Sequence, residues 1–237
     1  MKSIDFNTVE QKLLDLLKNY LDLKGAVFYG ANNTLKVNDL YIMGINPGGG
    51  DGTELVPNLK EDIMAFKNRN ICAYTDENWC GGDFYCPEKA GTHKFQKRIK
   101  YLVNLFSHDI NSVFGTNLIF RQTQDVNNLD FWKEAEAYWP VHDYFISLIR
   151  PKLVICIGNS ESRSAYSFIK NKFNVEDIAN YRAGHGNYKI KYTRISIQNR
   201  ETYILGIPHI SYYEPNKQEL LDLDLPNLIL GQSLKSA

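Results

Sequence analysis

Apolar residues recur at helical spacing between Val9 and Leu23, where Leu13, Leu14, Leu16, Leu17 and Leu21 fall on one repeat. After a polar stretch at Asn32 and Asn33 the pattern changes to an unbroken apolar run, Leu40 to Met43, which reads as a buried strand. That run stops at Gly44-Ile45-Asn46-Pro47-Gly48-Gly49-Gly50. Proline has no N–H for a sheet ladder, and consecutive glycines reach backbone angles that strain other residues, so the chain turns sharply here. One polar side chain, Asn46, is left at the strand tip. Residues 51 to 92 show no regular period and are rich in aromatics, Trp79, Phe84 and Tyr85 among them, with a Gly81-Gly82 pair. A stretch of that length is expected to carry functional contacts or short helices.

Helical periodicity returns from His93 to Phe106 through Phe95, Ile99, Leu102 and Leu105. Val113 to Phe120 predicts a second strand, and Phe131 to Ile149 a long helix closed by Arg150-Pro151. Leu153 to Gly158 predicts a third strand, Ser164 to Phe173 a helix, and Thr202 to Pro208 a fourth strand that stops at His209. A last helix is expected from Pro215. Strands alternating with helices make βαβ units. The fold class expected is therefore α/β, a three-layer α/β/α sandwich around a central, mostly parallel four-stranded sheet. Residues 1–237 read as one domain, with an N-terminal helical extension over 1–30 and an insertion over 53–92. The carboxyl ends of parallel strands would gather Asn46, the Asn117 region, Asn159 and His209 along one rim, where ligands of open α/β sheets bind.

Composition narrows the choice of partners. Lys+Arg and Asp+Glu number 27 each, so no overall basic character draws the chain to nucleic acid, and any such site needs local clusters. Lys94, Lys97, Arg98 and Lys100 form one such cluster, and Lys189, Lys191 and Arg194 another; a solvated helix or strand face explains them as well. The N-terminus lacks the apolar core of a signal peptide, and no run reaches membrane-spanning length, so a cytoplasmic protein with no membrane partner is expected. Four cysteines do not make a disulfide scaffold in a chain this long. Cys72, Cys80 and Cys86 lie close together with His93, but their spacings exceed the usual Cys-x2-Cys pair, so unpaired thiols stand beside a metal site as readings. Cys156 falls inside a strand and reads as core.

Three side chains at predicted strand ends offer chemistry. Asn46 can hold a water or a substrate amide, or simply bond its own backbone in an Asx-type turn. Asn117 sits in an apolar segment and must satisfy its amide, either by capping a turn or by presenting donor and acceptor to a planar base edge. His209 precedes Ser211 and two tyrosines; it is either a proton-responsive site residue or a helix-entry residue bonded to backbone. Asp51 and Asp83 fall in glycine-rich turns that favour aspartate for local reasons. The Gly44 to Gly52 segment is neither a P-loop, since no Gly-Lys-Ser/Thr follows, nor the Gly-x-Gly-x-x-Gly dinucleotide fingerprint.

Taken in order, four segments resemble the uracil-DNA glycosylase superfamily. Gly44 to Gly48 is similar to the first active-site motif of its mismatch-specific uracil and thymine glycosylase branch. Gly115 to Arg121, with Thr123, resembles that branch's second conserved strand and exit, Arg150 to Gly158 the third strand, and Pro208 to Ser211 the closing motif. The resemblance spans about residues 38 to 216 and implies hydrolysis of the N-glycosidic bond of uracil or a related damaged pyrimidine in DNA. Water is the nucleophile, with no cofactor and no metal, and the enzyme is expected to be a monomer bound to DNA with the damaged base flipped out. It assigns Asn46 to the attacking water and His209 to the carbonyl oxygen of the departing base. Asn117 would read the pyrimidine edge, Ser211 would bond a phosphate, and Gly44, Ile45, Pro47, Gly48 and Gly49 would line the nucleotide. The family's stacking aromatic is expected near Asn58 to Lys60, where none stands; Phe84, or else Tyr85, takes that part if 53–82 is inserted. Tyr212 or Tyr213 would wedge into the vacated stack. Ile210 stands where the family's closing motif has proline. These departures, with the neutral charge, leave a second reading: a superfamily member that binds nucleic acid or a nucleotide without excising a base.

Overall fold

The computed structural model describes residues 4–48, 56–80, 88–183, 187–216, 218 and 220, with Val126 by its backbone alone. The chain is α/β. Its strands are β1 (Leu40–Gly44), β2 (Phe114–Asn117), β3 (Leu153–Ile157), β4 (Ala179–Arg182), β5 (Lys189–Ile197) and β6 (Arg200–Ile207). Its helices are α1 (Phe6–Leu16), α2 (Leu59–Ala65), α3 (Ala73–Asp76), α4 (Lys94–Leu105), α5 (Phe131–Ile149) and α6 (Ala165–Lys172). The final helix expected from Pro215 falls largely outside the described residues.

Among the described residues the sheet has six strands in the order β2-β1-β3-β6-β5-β4, which corrects the expectation of four. The four strands read from apolar runs pair in parallel, β2 with β1, β1 with β3 and β3 with β6. β5 and β4 then continue the sheet antiparallel, so it is mixed. β5 has no continuous apolar run. Ile190 and Tyr192 are buried on one face of the sheet and Ile195 and Ile197 on the other, with Lys191 and Thr193 also buried between them, so the apolar side changes partway along the strand. A two-residue turn, Gln198-Asn199, joins it to β6 with both residues at positive φ, +51° and +59°. That geometry suits the twist of a tight hairpin.

Two apolar clusters cover opposite faces of the sheet. Tyr41, Met43, Val154 and Cys156 pack with Val9 and Leu13 of α1, Val141 and Phe145 of α5, and Phe168 of α6. Leu40, Ile42, Leu153 and Ile155 pack with Ile99, Leu102 and Val103 of α4. Successive strand residues point to opposite faces, so burial on both sides is what makes β1 and β3 unbroken apolar runs. Cys156 is core, as expected.

Local signals set the helix ends. Asp5 caps α1, accepting from the Asn7 N–H at 3.1 Å, and the helix stops at Leu16, earlier than the leucine repeat predicts. Within the irregular stretch, Asn58 and Glu61 form a reciprocal capping box that starts α2. α5 runs from Phe131 to Ile149, as its periodicity predicts, and ends on Arg150 in the left-handed region before Pro151.

The outer edge of β2 is covered by residues 24–29. The Ala26 N–H donates to Phe120 O and the Tyr29 N–H to Gly115 O, both at 3.1 Å. Gly25 lies so close to Phe120 O that a side chain would collide with it. A covered edge cannot template pairing with another chain.

Candidate functional site

β2, β1, β3 and β6 are adjacent and parallel, so the segments leaving their carboxyl ends stand side by side. Asn117 ends β2, Asn46 follows β1, Gly158 follows β3 and His209 follows β6. Gly44 is the register partner of Asn117, and a Cβ there would fall 2.0 Å from Asn117 Oδ1. Glycine is required because the amide occupies that space. A Cβ on Gly158 would lie 3.5 Å from Ile45 Cδ1 and 3.9 Å from His209 Cδ2, so Ile45 and His209 flank one glycine held at φ +101°. The expected rim thus forms as a chain of neighbours: Asn117, Gly44, Ile45, Gly158, His209. Asn159 does not join it, because its Nδ2 donates to Lys189 O and Gly206 O, tying the exit of β3 to the hairpin.

Asn46 is bonded both within its own turn and to the neighbouring exit loop. Its Nδ2 donates to Pro47 O and to Thr123 Oγ1, each at 2.9 Å, so the amide nitrogen is held by the turn and by the segment after β2. Among the described residues its Oδ1 accepts no bond, which leaves one fixed acceptor at the strand tip. The Thr123 N–H donates to Pro47 O, and Gln122 Nε2 to Gly48 O, so the two exit loops are laced together. Among the described residues, its chain neighbours aside, none comes within 4 Å of where a Gly48 Cβ would be. Gly49, Phe84 and Tyr85 lie outside the described residues, as do Asp51, Asp83 and Cys86.

Asn117 is buried at the end of β2, the strand whose Gly115 O accepts the Tyr29 N–H. From Tyr29 a run of rings leads across the rim. Tyr29 stacks with Tyr74 at 5.7 Å and meets Trp79 edge-on at 6.2 Å. Trp79 lies 5.8 Å from Phe95, and Phe95 lies 5.8 Å from the His209 ring. Tyr29, Trp79, Phe95 and His209 are each partly exposed, so the run offers a surface as well as a core contact. Trp79 is fixed by its Nε1, which donates to Glu77 Oε2 at 3.0 Å, and Glu77 is itself bound by Arg69 at 3.1 Å. Burial, and then the nearby Glu77 charge, raise the Tyr29 hydroxyl well above the usual tyrosine value, so it stays protonated. Sequence reasoning missed Tyr29 as a site residue. It carries no motif and stands ahead of the segments that bear the resemblance.

His209 Nδ1 accepts the Ser211 N–H at 3.3 Å, while burial pushes the imidazole below the usual histidine value. Both observations select the neutral ring with its proton on Nε2. Ile210, in place of proline, is fully buried. Its carbonyl accepts from Arg98 Nη1 at 2.7 Å, and Arg98 also reaches Ser211 O and Glu214. Arg98 therefore anchors the closing segment instead of standing free. Of the two tyrosines, Tyr212 is 72% exposed beside His209 and Tyr213 is 1% exposed in the core, so only Tyr212 can reach outward.

Other expected cations are also committed. Lys191 is buried and paired with Glu161, Arg194 pairs with Glu201, and Lys100 caps Gly91 O. Cys72, Cys80 and Cys156 are free thiols, and among the described residues no group of three or more His, Cys, Asp and Glu is placed to hold a metal ion. Two open surface grooves lie elsewhere, one along Lys100, Asn104 and His108, the other along Trp139, Lys172 and Gln198; neither is lined by Asn46, Asn117 or His209. Among the described residues no helix is long and apolar enough to cross a membrane. Comparison of the chain with protein-family models gave no match, and comparison with curated proteins gave none either.

Proposed function

We propose that this protein is a DNA glycosylase of the uracil-excising type, a hydrolase that removes uracil or a related damaged pyrimidine in base excision repair, in the cytoplasm. The observation that carries the reading is the ordered rim: a fixed acceptor on Asn46, a buried amide on Asn117 and a neutral Nε2–H on His209, at the carboxyl ends of the parallel strands β1, β2 and β6, with β3 between β1 and β6. A base must leave the stack to reach such a rim. As the glycosidic bond stretches, negative charge builds on the base and positive charge on the sugar. His209 Nε2–H donates to the carbonyl oxygen that gains charge, which a neutral imidazole does without first losing a proton. Asn46 Oδ1 accepts from a water and aims its lone pair at the sugar carbon. Asn117 reads the base edge, and the Tyr29, Trp79 and Phe95 rings offer a flat surface in place of the missing early aromatic. Ser211 and Lys94 or Lys97 are the phosphate contacts, and Tyr212 is the wedge.

The test is release of free uracil from single-stranded and G·U DNA. Asn46→Ala should lower turnover by about 10²–10⁴-fold with the thermal midpoint nearly unchanged. A purified protein that releases no base from any deaminated substrate refutes the reading.

A second reading, binding of nucleic acid or a nucleotide without excision, is favoured by the commitment of Arg98, Lys191 and Arg194 to internal partners. Fewer free cations mean fewer phosphate contacts and a shallow salt dependence of DNA binding. A gel shift with no abasic product supports that reading.

A further inference from the structure

We propose that Glu77 is a positioning residue that fixes the Trp79 indole and the first turn of α4, and so sets the ring wall against which a flipped base and the His209 imidazole are aligned. The inference rests on the glycosylase reading for its substrate, but the anchoring itself belongs to the protein without ligand. Glu77 follows α3 and is 8% exposed, with both carboxylate oxygens occupied. Oε1 accepts from Arg69 Nη2 at 3.1 Å and Oε2 from Trp79 Nε1 at 3.0 Å. Its carbonyl accepts from the Gly91 N–H at 3.1 Å and from Gln96 Nε2 at 2.7 Å. Gln96 is fully buried, and its Nε2 also donates to Ala73 O at 2.8 Å. Gln96 Oε1 accepts the His93 N–H, part of the capping box that starts α4. One residue thus holds Trp79 by its side chain and the turn that carries Phe95 by its backbone.

The two rings it places are consecutive in the run to His209. Trp79 lies 5.8 Å from Phe95 with the planes 48° apart, and Phe95 lies 5.8 Å from His209 at 53°. Tyr29, Tyr74 and His93 meet Trp79 at 88°, 66° and 55°, so none of these neighbours is stacked parallel on it. Ring contacts of this kind tolerate a turn of the indole, whereas a bond to its single N–H, which can only donate, does not.

Glu77→Gln leaves one accepting oxygen where the carboxylate has two, and Arg69 and Trp79 both bring donors. The charged guanidinium takes that oxygen, and the amide N–H groups are left against the indole N–H. Trp79 is then released to turn, while the size of the side chain and its contact with Arg69 are kept.

The chain has three tryptophans, and the indole proton of Trp79 is assigned by its disappearance in Trp79→Phe. In the nuclear magnetic resonance spectrum of the ligand-free parent it should lie far downfield and exchange slowly with solvent. In Glu77→Gln it should move upfield and exchange about tenfold faster. On DNA, single-turnover uracil release should fall about tenfold in Glu77→Gln and about tenfold in Trp79→Phe. In the double variant the loss should again be about tenfold, not about a hundredfold, because Glu77 acts through Trp79. An indole proton indifferent to Glu77→Gln overturns the proposal, as does a Glu77→Gln protein as fast as the parent, or losses that multiply in the double variant. Where Glu77→Gln does not fold, Trp79→Phe decides, since it leaves the Arg69 pair in place. A parent-like rate there overturns the proposal, and a loss of about tenfold supports it. If the parent releases no uracil, the glycosylase reading fails, while the indole proton still decides whether Glu77 holds Trp79.

Discussion

Asn46 has its nitrogen bound twice, by Pro47 O and by Thr123 Oγ1, and so presents a single oxygen in a fixed direction. Thr123 matters because an unheld amide samples both orientations, and a donor facing the water would not activate it. Thr123→Val removes the hydroxyl while keeping the shape. The fold should lose about 1 kcal/mol or less, since the position is partly wet. Uracil release should fall about tenfold and recover in Thr123→Ser, as read from single-turnover rates; a Val variant as fast as the parent would deny Thr123 this part. Asn46, Asn117 and His209 were legible because a lone polar residue at the end of an apolar run is visible in one dimension. Tyr29 and Trp79 were not. Tyr29 meets Tyr74 and Trp79 meets Phe95, residues on other elements, and nothing periodic marks them.

Arg98 on α4 joins two elements that the sequence separates by more than a hundred residues. It holds the carbonyls of Ile210 and Ser211, and the Tyr212 and Tyr213 N–H groups close back on His209 O. Its partner Glu214 is 78% exposed, so that ion pair adds little, and the charged bonds to the two carbonyls carry the anchoring. Arg98→Ala should cost about 1–3 kcal/mol in urea denaturation and speed hydrogen exchange at Tyr212 and Tyr213. Arg98→Lys should not restore slow exchange, because one ammonium cannot reproduce the guanidinium geometry in which Nη1 meets both carbonyls while Nη2 holds Glu214. At this scale the sequence was most readable where both faces of an element are buried. β1, β2, β3 and β6 announce themselves as apolar runs. β5 mixes Lys189, Lys191 and Arg194 with its isoleucines, and its apolar residues change face between Tyr192 and Ile195, so neither a run nor a single alternation marks it. α2 went unread in a stretch that has no long-range period, although its Asn58-x-x-Glu61 capping box stands in the sequence.

Two buried titratable groups set how the whole molecule answers to acid. His142 on α5 accepts from the Tyr41 hydroxyl and donates to Leu118 O, and burial lowers its pKa to about 4. The unfolded chain, with histidine near 6.5, takes up that proton first. The stability His142 contributes is therefore complete above about 6.5 and is lost as pH falls toward 4. Asp62 behaves oppositely: burial raises it to about 6 from an ordinary 3.8. Its contribution is complete below 3.8 and is lost as pH rises through about 6. Between pH 4 and 6 the two offset each other. Asp62→Asn keeps an oxygen for the Val27 and Phe28 N–H groups and removes one side of that balance. The variant should lose on the order of 3 kcal/mol between pH 6.5 and 4, where the parent loses much less. Denaturant melts across that range check it, and parallel profiles for the two proteins would contradict it.

The strip formed by residues 24–29 has a consequence for how the molecule is made. These residues leave the ribosome well before the strand they cover: Val27 O and its partner Thr116 Oγ1 are 89 positions apart. Until β2 has emerged the strip lacks Gly115, Thr116 and Phe120, but its other partners, Pro57, Asp62, Ala73 and Tyr74, precede that strand. The strip can therefore meet β2 as soon as β2 is made, while β3 and β6, which complete the sheet centre, are still to come. The edge of β2 is thus covered before the sheet is whole, at the stage when a naked edge would pair with a neighbouring chain.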